Sequence, residues 1–255
     1  MRDNMLDIFG IRIFRYTLAD TLDRIDAAVI NRSKLHIGVV NAAKVVNMRL
    51  NPTLKEDVLR SDMILADGMG VVWASKLLSS NPLPERVAGI DIMYGVFNRG
   101  NAKGYRVFLF GATEEVSLKV AKRLQEQYPE VVLAGRRNGY FCEEEEEEIA
   151  RLIAESKPDV LFVAITSPKK ENFMARWTKT MNVPVVHGVG GSFDVMAGMV
   201  ERAPDIWQKL GLEWLYRVKQ EPRRLWKRYV VTNSIFCWMV LKRYLRKKSL
   251  GHGEI

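Results

Sequence analysis

The chain has 255 residues, of which 47% are hydrophobic and 27% are charged, a composition that is typical of a globular protein and excludes wholesale disorder. Its two cysteines, Cys142 and Cys237, are too few and too far apart to indicate a disulfide framework or a thiolate metal site. The net charge of +9 comes from residues 217–248, which hold eleven Lys or Arg and one acid, Glu221, so the nearly neutral remainder does not indicate a nucleic-acid-binding body.

The first twenty residues mix acids into every apolar run, unlike a secretory signal, so we expect a protein of the reducing cytoplasm. After them, five apolar runs rich in Val, Ile, Leu and Phe alternate with helical stretches, as buried strands and crossover helices do. The runs span residues 35–40, 63–68, 105–112, 159–165 and 183–191. Helices are predicted over 114–128 and 143–156, with the glutamates 143–148 as a solvated first turn. This alternation predicts an α/β fold, Rossmann-like and doubly wound, with a mainly parallel sheet.

From about residue 200 the sequence changes, because aromatic residues now alternate with Arg and Lys. We therefore predict a body, residues 1–199, and a basic, amphipathic, helical C-terminal appendage, residues 200–255. The uncharged run at 229–241 is shorter than the roughly 18–20 residues that span a membrane. It predicts a helix in the membrane interface, with Trp226, Phe236 and Trp238 among the lipid headgroups. A C-terminal helix that packs on the core is the alternative.

Ligands of an open α/β sheet bind beyond the carboxyl ends of its strands, so residues that follow predicted strands are candidates for a site. Gly111, in FGATEE, is placed to expose backbone N–H groups to a phosphate or a nucleotide hydroxyl. Gly188 and Gly190, in GVGGSF, follow the last strand, but the third glycine comes one residue early for a dinucleotide fingerprint. Classical NAD binding is therefore disfavoured.

Metal and nucleophilic chemistry have little support in the sequence. His36, His187 and His252 are scattered and no D-x-D cluster ends a strand, so we predict no metal ion and no other cofactor. We interpret His187 as a strand residue whose ring is hydrogen-bonded in the interior. The sequence also lacks a nucleophile elbow.

Asp67 lies in LADGMGVVWA, between a predicted strand and two glycines. An aspartate before glycine commonly turns the chain and caps the following helix. A carboxylate at a strand end can also accept a proton from a reacting hydroxyl. The two roles are compatible, because we expect a helix N-terminus to lower the pKa of Asp67 and keep it ionised. The residues alone leave both roles open.

Seven stretches, in order and spacing, resemble the WecG/TagA/CpsF family of bacterial glycosyltransferases (glycosyltransferase family 26) over about residues 6–230. They are NAAKVV, ADGMGVV, ERVAGIDIM, FGAT, SPKKE, GVGGSFDVMAG and RAPDIWQKLGLEWLYRVKQEPRRLWKRY. The resemblance implies an inverting, metal-independent transfer from a UDP-sugar to a polyprenyl-diphosphate-linked sugar, in cell-surface polysaccharide biosynthesis. It implies a peripheral protein on the inner leaflet of the cytoplasmic membrane, and we predict no nucleic-acid partner.

The resemblance also implies roles for individual residues. Asp67 matches the family's proposed general base, and Asn41 lies in the same catalytic cleft, which Arg86 and Asp91 line. Appendage arginines would neutralise the leaving diphosphate, because without a divalent cation that charge needs fixed cations. The remaining candidates for substrate binding are Gly111, Lys170, Gly188, Gly190, Arg217, Arg223 and Arg224, with Arg228 as a further match.

Two positions depart from the family pattern. Val39 stands where many members have Thr, and Lys170 stands where the family commonly has Gln. A cation at Lys170 would suit an acidic sugar or a phosphate, so the resemblance does not identify the donor sugar. A solvated helix start is the alternative for Lys170.

Two other classes of function remain open on the residues. One is a nucleotide-dependent oxidoreductase, which measurements of nicotinamide and UDP binding would distinguish from a glycosyltransferase. The other is a non-catalytic module that binds membranes or nucleic acid through the basic appendage. Binding to nucleic acid should weaken steeply with salt and need no lipid.

Overall fold

The structure, a computed structural model, describes residues 4–250, apart from the side chains of Arg224 and Leu250. The side chain of Arg224 and all of His252, both considered above, therefore lie outside the described residues.

The described residues contain eight strands. They are β1 (Met5–Ile8), β2 (Ile11–Phe14), β3 (Leu35–Val40), β4 (Met63–Ala66), β5 (Arg106–Gly111), β6 (Val132–Arg137), β7 (Val160–Ala164) and β8 (Val185–Gly188). Strands β1 and β2 form an antiparallel hairpin, and the other six form a parallel sheet in the order β4-β3-β8-β7-β5-β6. The doubly wound α/β prediction and all five predicted strands are confirmed, whereas the hairpin and β6 were not predicted.

Twelve α-helices lie in the same part of the chain. They are α1 (Leu18–Ile30), α2 (Ala42–Leu50), α3 (Pro52–Leu59), α4 (Met69–Leu78), α5 (Gly89–Lys103), α6 (Glu114–Gln127), α7 (Glu146–Glu155), α8 (Lys169–Met181), α9 (Ser192–Met196), α10 (Asp205–Lys209), α11 (Glu213–Gln220) and α12 (Pro222–Leu250). Helices α6 and α7 confirm the two predicted helices. One glutamate departs from the predicted solvated turn, because Glu146 is buried and accepts a hydrogen bond from Trp177 Nε1 at 2.8 Å.

Helices cover both faces of the sheet. Alternate side chains of a strand point to opposite faces, so one strand contributes to the cores on both sides. In β5, Val107 and Leu109 join a core formed with α1, α5 and α6. Phe108 and Phe110 of the same strand join a core formed with α7 and α8 on the opposite face. A third core joins the β1-β2 hairpin with α2, α3, α4 and α12. With both faces packed, the carboxyl edge of the sheet is where a ligand can approach the strands.

Helix α12 packs along α2 and α4, the two helices that begin beside the carboxyl ends of β3 and β4. Phe236, Met239 and Val240 of α12 lie in the same core as Val46 of α2 and Val71 of α4. One face of α12 therefore packs on the core, as the alternative prediction for the C-terminal helix states. The prediction that Phe236 lies among lipid headgroups is wrong, because its side chain is only 4% exposed.

Other side chains of α12, several of them large and apolar, are turned to solvent. Trp226 is 54% exposed and Trp238 is 64% exposed, and basic residues lie between and beyond them. Among the described residues, no helix combines the length and the apolar composition required to cross a membrane.

Candidate active site

Asp67 follows β4 at the carboxyl edge of the sheet. Its N–H donates to the carbonyl oxygen of Val40 at 2.9 Å, which ties it to the end of β3. The carbonyl oxygen of Ala66 accepts a hydrogen bond from the N–H of Val87 at 2.8 Å, so the loop before α5 reaches the same edge. The N-cap residue of α4 is Gly68, and within the described residues the carboxylate of Asp67 accepts no hydrogen bond. The side chain of Asp67 therefore does not cap the helix.

The pKa of Asp67 is raised to about 6. Removal of the carboxylate from water is the main cause, and the negative charge of Glu213 acts in the same direction. The positive charges of Arg86, Arg217 and Lys44 lower the pKa and oppose this effect. The expected lowering by the helix N-terminus is therefore wrong. At neutral pH Asp67 is still mostly ionised, and it is a stronger base than an ordinary aspartate.

Asn41 follows β3, the strand next to β4, and is the N-cap residue of α2. Its Oδ1 accepts a hydrogen bond from the N–H of Lys44 at 2.9 Å. A Cβ atom added to Gly68 would lie 3.3 Å from Cβ of Asn41, so Asn41 is directly beside the turn that holds Asp67. Because the cap uses the side-chain oxygen, the amide NH₂ group of Asn41 takes no part in it and remains a hydrogen-bond donor.

Lys170, at the start of α8, is buried, so its interpretation as a solvated helix start is wrong. Its Nζ lies 3.6 Å from Glu171 Oε1, and the same oxygen is 2.7 Å from Nζ of Lys44. Burial lowers the pKa of Lys170 to about 8, and the positive charge of Lys44 contributes to this lowering. Burial acts to raise the pKa of Glu171, but the two lysines bring it down to about 2. Two cations thus share one carboxylate at the floor of the cleft.

Gly188 and Gly190 leave the space that Lys170 occupies. A Cβ atom on Gly188 would come within 2.8 Å of Cδ and Cε of Lys170. Gly190 has φ of +54°, and a Cβ atom there would lie 3.9 Å from Nζ of Lys170. Because β8 is the neighbour of β3, these glycines lie at the same edge of the sheet as Asn41 and Asp67, and the charge of Asp67 acts on Lys170.

Gly111 lies at the end of β5, four strand positions from β4 and about 19 Å away at the usual strand spacing. The structure therefore does not bring it next to Asp67. Its φ is +128°, and a Cβ atom would lie 2.4 Å from the backbone of Ala164 on β7, so this position requires glycine. Gly111 remains a predicted contact for a distant part of a long ligand.

Arg86, which precedes α5, and Asp91 of α5 are linked by hydrogen bonds to the chain segment 202–213. Nη2 of Arg86 donates to Asp91 Oδ2 at 3.2 Å and to Gln208 Oε1 at 3.1 Å, and its Nη1 donates to Glu213 Oε2. Asp91 also accepts a hydrogen bond from Arg202. We call these five residues the clasp. Arg202, Gln208 and Glu213 were not predicted as site residues, although all three lie in the long motif that begins at Arg202.

Arg217 is the described appendage arginine whose charge acts on Asp67. Its Nη2 lies 3.4 Å from Oε1 of Glu213, one helical turn earlier, and its side chain is 39% exposed. Arg223 is exposed, and its side chain is not brought to the Asp67 cluster by any contact in the described residues. Arg228 lies beside the ring of Tyr229, 5.0 Å from its centroid.

The two described histidines, His36 and His187, lie in the interior. His187 is fully buried in β8, with Nδ1 3.2 Å from the carbonyl oxygen of Ile37 and Nε2 3.4 Å from that of Gly89. Burial lowers its pKa to about 4, so the ring is neutral at physiological pH. The interpretation of His187 as a hydrogen-bonded strand residue is confirmed. Among the described residues, no group of three or more His, Cys, Asp or Glu side chains is arranged to hold a metal ion.

A parallel α/β sheet that presents a proton-accepting carboxylate beside fixed cations is suited to group transfer. The chain belongs to the glycosyl transferase WecG/TagA/CpsF family, whose model matches residues 6–250. It is therefore a glycosyltransferase, and the oxidoreductase and the non-catalytic module are excluded as its class.

Two relatives carry more specific names. An N-acetylglucosaminyldiphosphoundecaprenol N-acetyl-beta-D-mannosaminyltransferase from Bacillus spizizenii is 38% identical over 178 residues, which are 70% of this chain and 68% of the relative. A transferase of the same name from Bacillus subtilis is 38% identical over 194 residues, which are 76% of this chain and 74% of the relative.

Proposed function

We propose that this glycosyltransferase moves a sugar from a UDP-sugar to a polyprenyl-diphosphate-linked sugar, with inversion and without a metal ion, in cell-surface polysaccharide biosynthesis. The observation that carries the proposal is Asp67, a carboxylate at the end of β4 whose pKa is about 6 and on which the positive charges of Arg86 and Arg217 act. The names of the two relatives support the choice of a lipid-diphosphate-linked acceptor.

The chemistry is a single displacement. Asp67 accepts the proton of the acceptor hydroxyl while the hydroxyl oxygen attacks the anomeric carbon of the donor. The bond from that carbon to the diphosphate oxygen breaks, and its electron pair leaves with UDP. Attack on the face opposite to UDP inverts the anomeric centre. The amide NH₂ group of Asn41, beside Asp67, orients the acceptor.

Fixed cations replace a divalent ion in this mechanism. Negative charge grows on the diphosphate as UDP leaves, and the guanidinium groups of Arg86 and Arg217 stabilise it through charge-assisted hydrogen bonds. Lys170 adds an ammonium group that is mostly protonated at neutral pH, because its pKa is about 8. Since Lys44 and Lys170 share Glu171, positive charge remains at the floor of the cleft for an anionic part of the donor.

The lipid-linked acceptor explains the exposed face of α12. Trp226 and Trp238 suit the interface between headgroups and acyl chains, and the neighbouring Lys and Arg suit anionic lipid phosphates. We place the protein on the cytoplasmic face of the membrane, with α12 lying in the interface.

Replacing Trp226 and Trp238 by Ser should weaken binding to anionic vesicles about tenfold per residue, because each change removes apolar area that the membrane would bury. Co-sedimentation with vesicles measures the effect. The control is Tyr140→Ser, which removes an aromatic side chain that is 71% exposed on the body. Equal vesicle binding by wild type and the double variant would contradict the interfacial placement of α12.

The proposed function is tested with the full chain, a panel of UDP-sugars and undecaprenyl-diphosphate-linked N-acetylglucosamine. Release of UDP together with a heavier lipid-linked product is the expected result, with the same rate in EDTA. Failure of every UDP-sugar to extend the acceptor would refute the proposed reaction. Loss of transfer in EDTA and its recovery with magnesium would refute the arginine-based account of the leaving group.

A further inference from the structure

Glu213 is the meeting point of two arginines near the candidate base. It lies in the first turn of α11 and its side chain is 18% exposed. Its Oε2 accepts a hydrogen bond from Arg86, which precedes α5, and its Oε1 lies 3.4 Å from Nη2 of Arg217. One carboxylate of the appendage thus holds a cation from the body and a cation from its own helix.

The charges around Asp67 come from four elements of the fold. Lys44 lies on α2, Arg86 precedes α5, Lys170 lies on α8, and Glu213 and Arg217 lie on α11. The negative charge of Glu213 raises the pKa of Asp67, whereas the positive charges of Arg86, Arg217 and Lys44 lower it. If the charge of Glu213 were removed, the guanidinium groups of Arg86 and Arg217 would be attracted to Asp67 without the competing attraction of Glu213.

An arginine paired with the base would harm the reaction in two ways. A carboxylate that pairs with a guanidinium group has a lower pKa and takes a proton less readily. The same pair would occupy cation donors that the leaving diphosphate needs. Arg217 uses one amino group towards Glu213, which leaves other N–H donors of its guanidinium group for phosphate oxygens.

We propose that Glu213 is a positioning residue for the transfer reaction, which holds Arg86 and Arg217 away from Asp67 and in place for the diphosphate of the donor. This inference rests on the proposed function. Glu213 touches neither reactant in this account and acts through the two arginines.

A residue that merely fastened the appendage would also lower activity when changed, so a second clasp residue is needed for comparison. Gln208 accepts a hydrogen bond from Arg86 at 3.1 Å and donates one to the carbonyl oxygen of Ala203 at 2.7 Å. It joins the same parts of the chain but carries no charge. Gln208→Ala therefore weakens the clasp without removing the negative charge beside the arginines.

The experiment compares wild type, Glu213→Gln, Glu213→Asp and Gln208→Ala as full chains. The readouts are kcat, KM for the UDP-sugar, and the pH dependence of kcat/KM. Glu213→Gln should lower kcat/KM about tenfold at neutral pH and move the acidic limb of the profile about one pH unit lower. Gln208→Ala should cost less activity and leave the limb in place. The shorter Glu213→Asp cannot reach both arginines well, so its rate and limb should fall between those of wild type and Glu213→Gln.

Two results would overturn the inference: an unchanged rate and limb in Glu213→Gln, or equal losses in Glu213→Gln and Gln208→Ala with no movement of the limb. Thermal unfolding identifies a variant that fails to fold. If Glu213→Gln is unfolded, Glu213→Asp decides, and a wild-type rate and limb in that variant would overturn the inference. An inactive wild type would instead refute the proposed function.

Discussion

Asp67→Asn should lower turnover about a hundredfold or more, the usual scale for loss of a general base, while UDP affinity changes little. The amide keeps the shape of the side chain but cannot accept the proton of the acceptor hydroxyl. Turnover at saturating donor measures the first effect, and calorimetric titration with UDP measures the second. Turnover near that of wild type would refute the role of Asp67 as the base.

The pH dependence of transfer is the control for the predicted role of Asp67 as the base. Because the pKa of Asp67 is about 6, wild-type transfer should fall as the pH drops below 6, and the residual activity of Asp67→Asn should lack that limb. A carboxyl group whose pKa is raised by folding destabilises the folded state when it is ionised, above that pKa. Asp67→Asn should therefore unfold at or above the wild-type temperature at pH 7, and this advantage should vanish as the pH falls towards 4.

Arg217→Ala should lower kcat about a hundredfold, because removal of one fixed group that stabilises developing charge commonly has an effect of this size. The loss should appear in kcat more than in UDP affinity, since the charge on the diphosphate grows as the bond breaks. Steady-state kinetics with a detergent-dispersed acceptor measure both quantities.

The matched control is Lys219→Ala, which removes an exposed cation from the same helix. It should leave kcat close to wild type and weaken vesicle binding by no more than about fivefold, since one surface cation contributes about 1 kcal/mol. Equal kcat for Arg217→Ala and wild type would show that the leaving group finds its cations elsewhere.

Much of the fold was predictable because buried parallel strands are continuous apolar runs whose pattern is local. The runs at 35–40 and 159–165 became β3 and β7 with almost unchanged bounds. The edge strand β6 was missed because the residues that follow Val132, LAGRR, are only partly apolar and partly buried. The proximity of Asn41 and Asp67 was also predictable, because each follows a predicted strand and the carboxyl ends of neighbouring parallel strands lie at one edge of the sheet.

Contacts between distant segments could not be predicted from local patterns. The clasp joins Arg86 to Glu213 across 127 residues, and charged side chains in a helix ordinarily read as solvated. The pKa of Asp67 was predicted with the wrong sign, because burial by distant elements outweighs the local field of the helix N-terminus. Phe236 was predicted to contact the membrane because apolar side chains occur on both the packed and the exposed faces of α12. The local sequence pattern therefore does not show which face is buried.

Two lysines share one oxygen of Glu171, and this sharing makes the charge of the cleft easy to change during evolution. A Gln at position 170 would leave Glu171 paired with Lys44, whose Nζ lies 2.7 Å from Oε1. With Gln or with Lys at position 170 the buried carboxylate keeps a partner, so neither sequence carries the large cost of an isolated buried charge. Codons for Gln and Lys differ by one nucleotide. One mutational step can therefore add or remove a cation beside Glu171 without leaving that carboxylate unpaired.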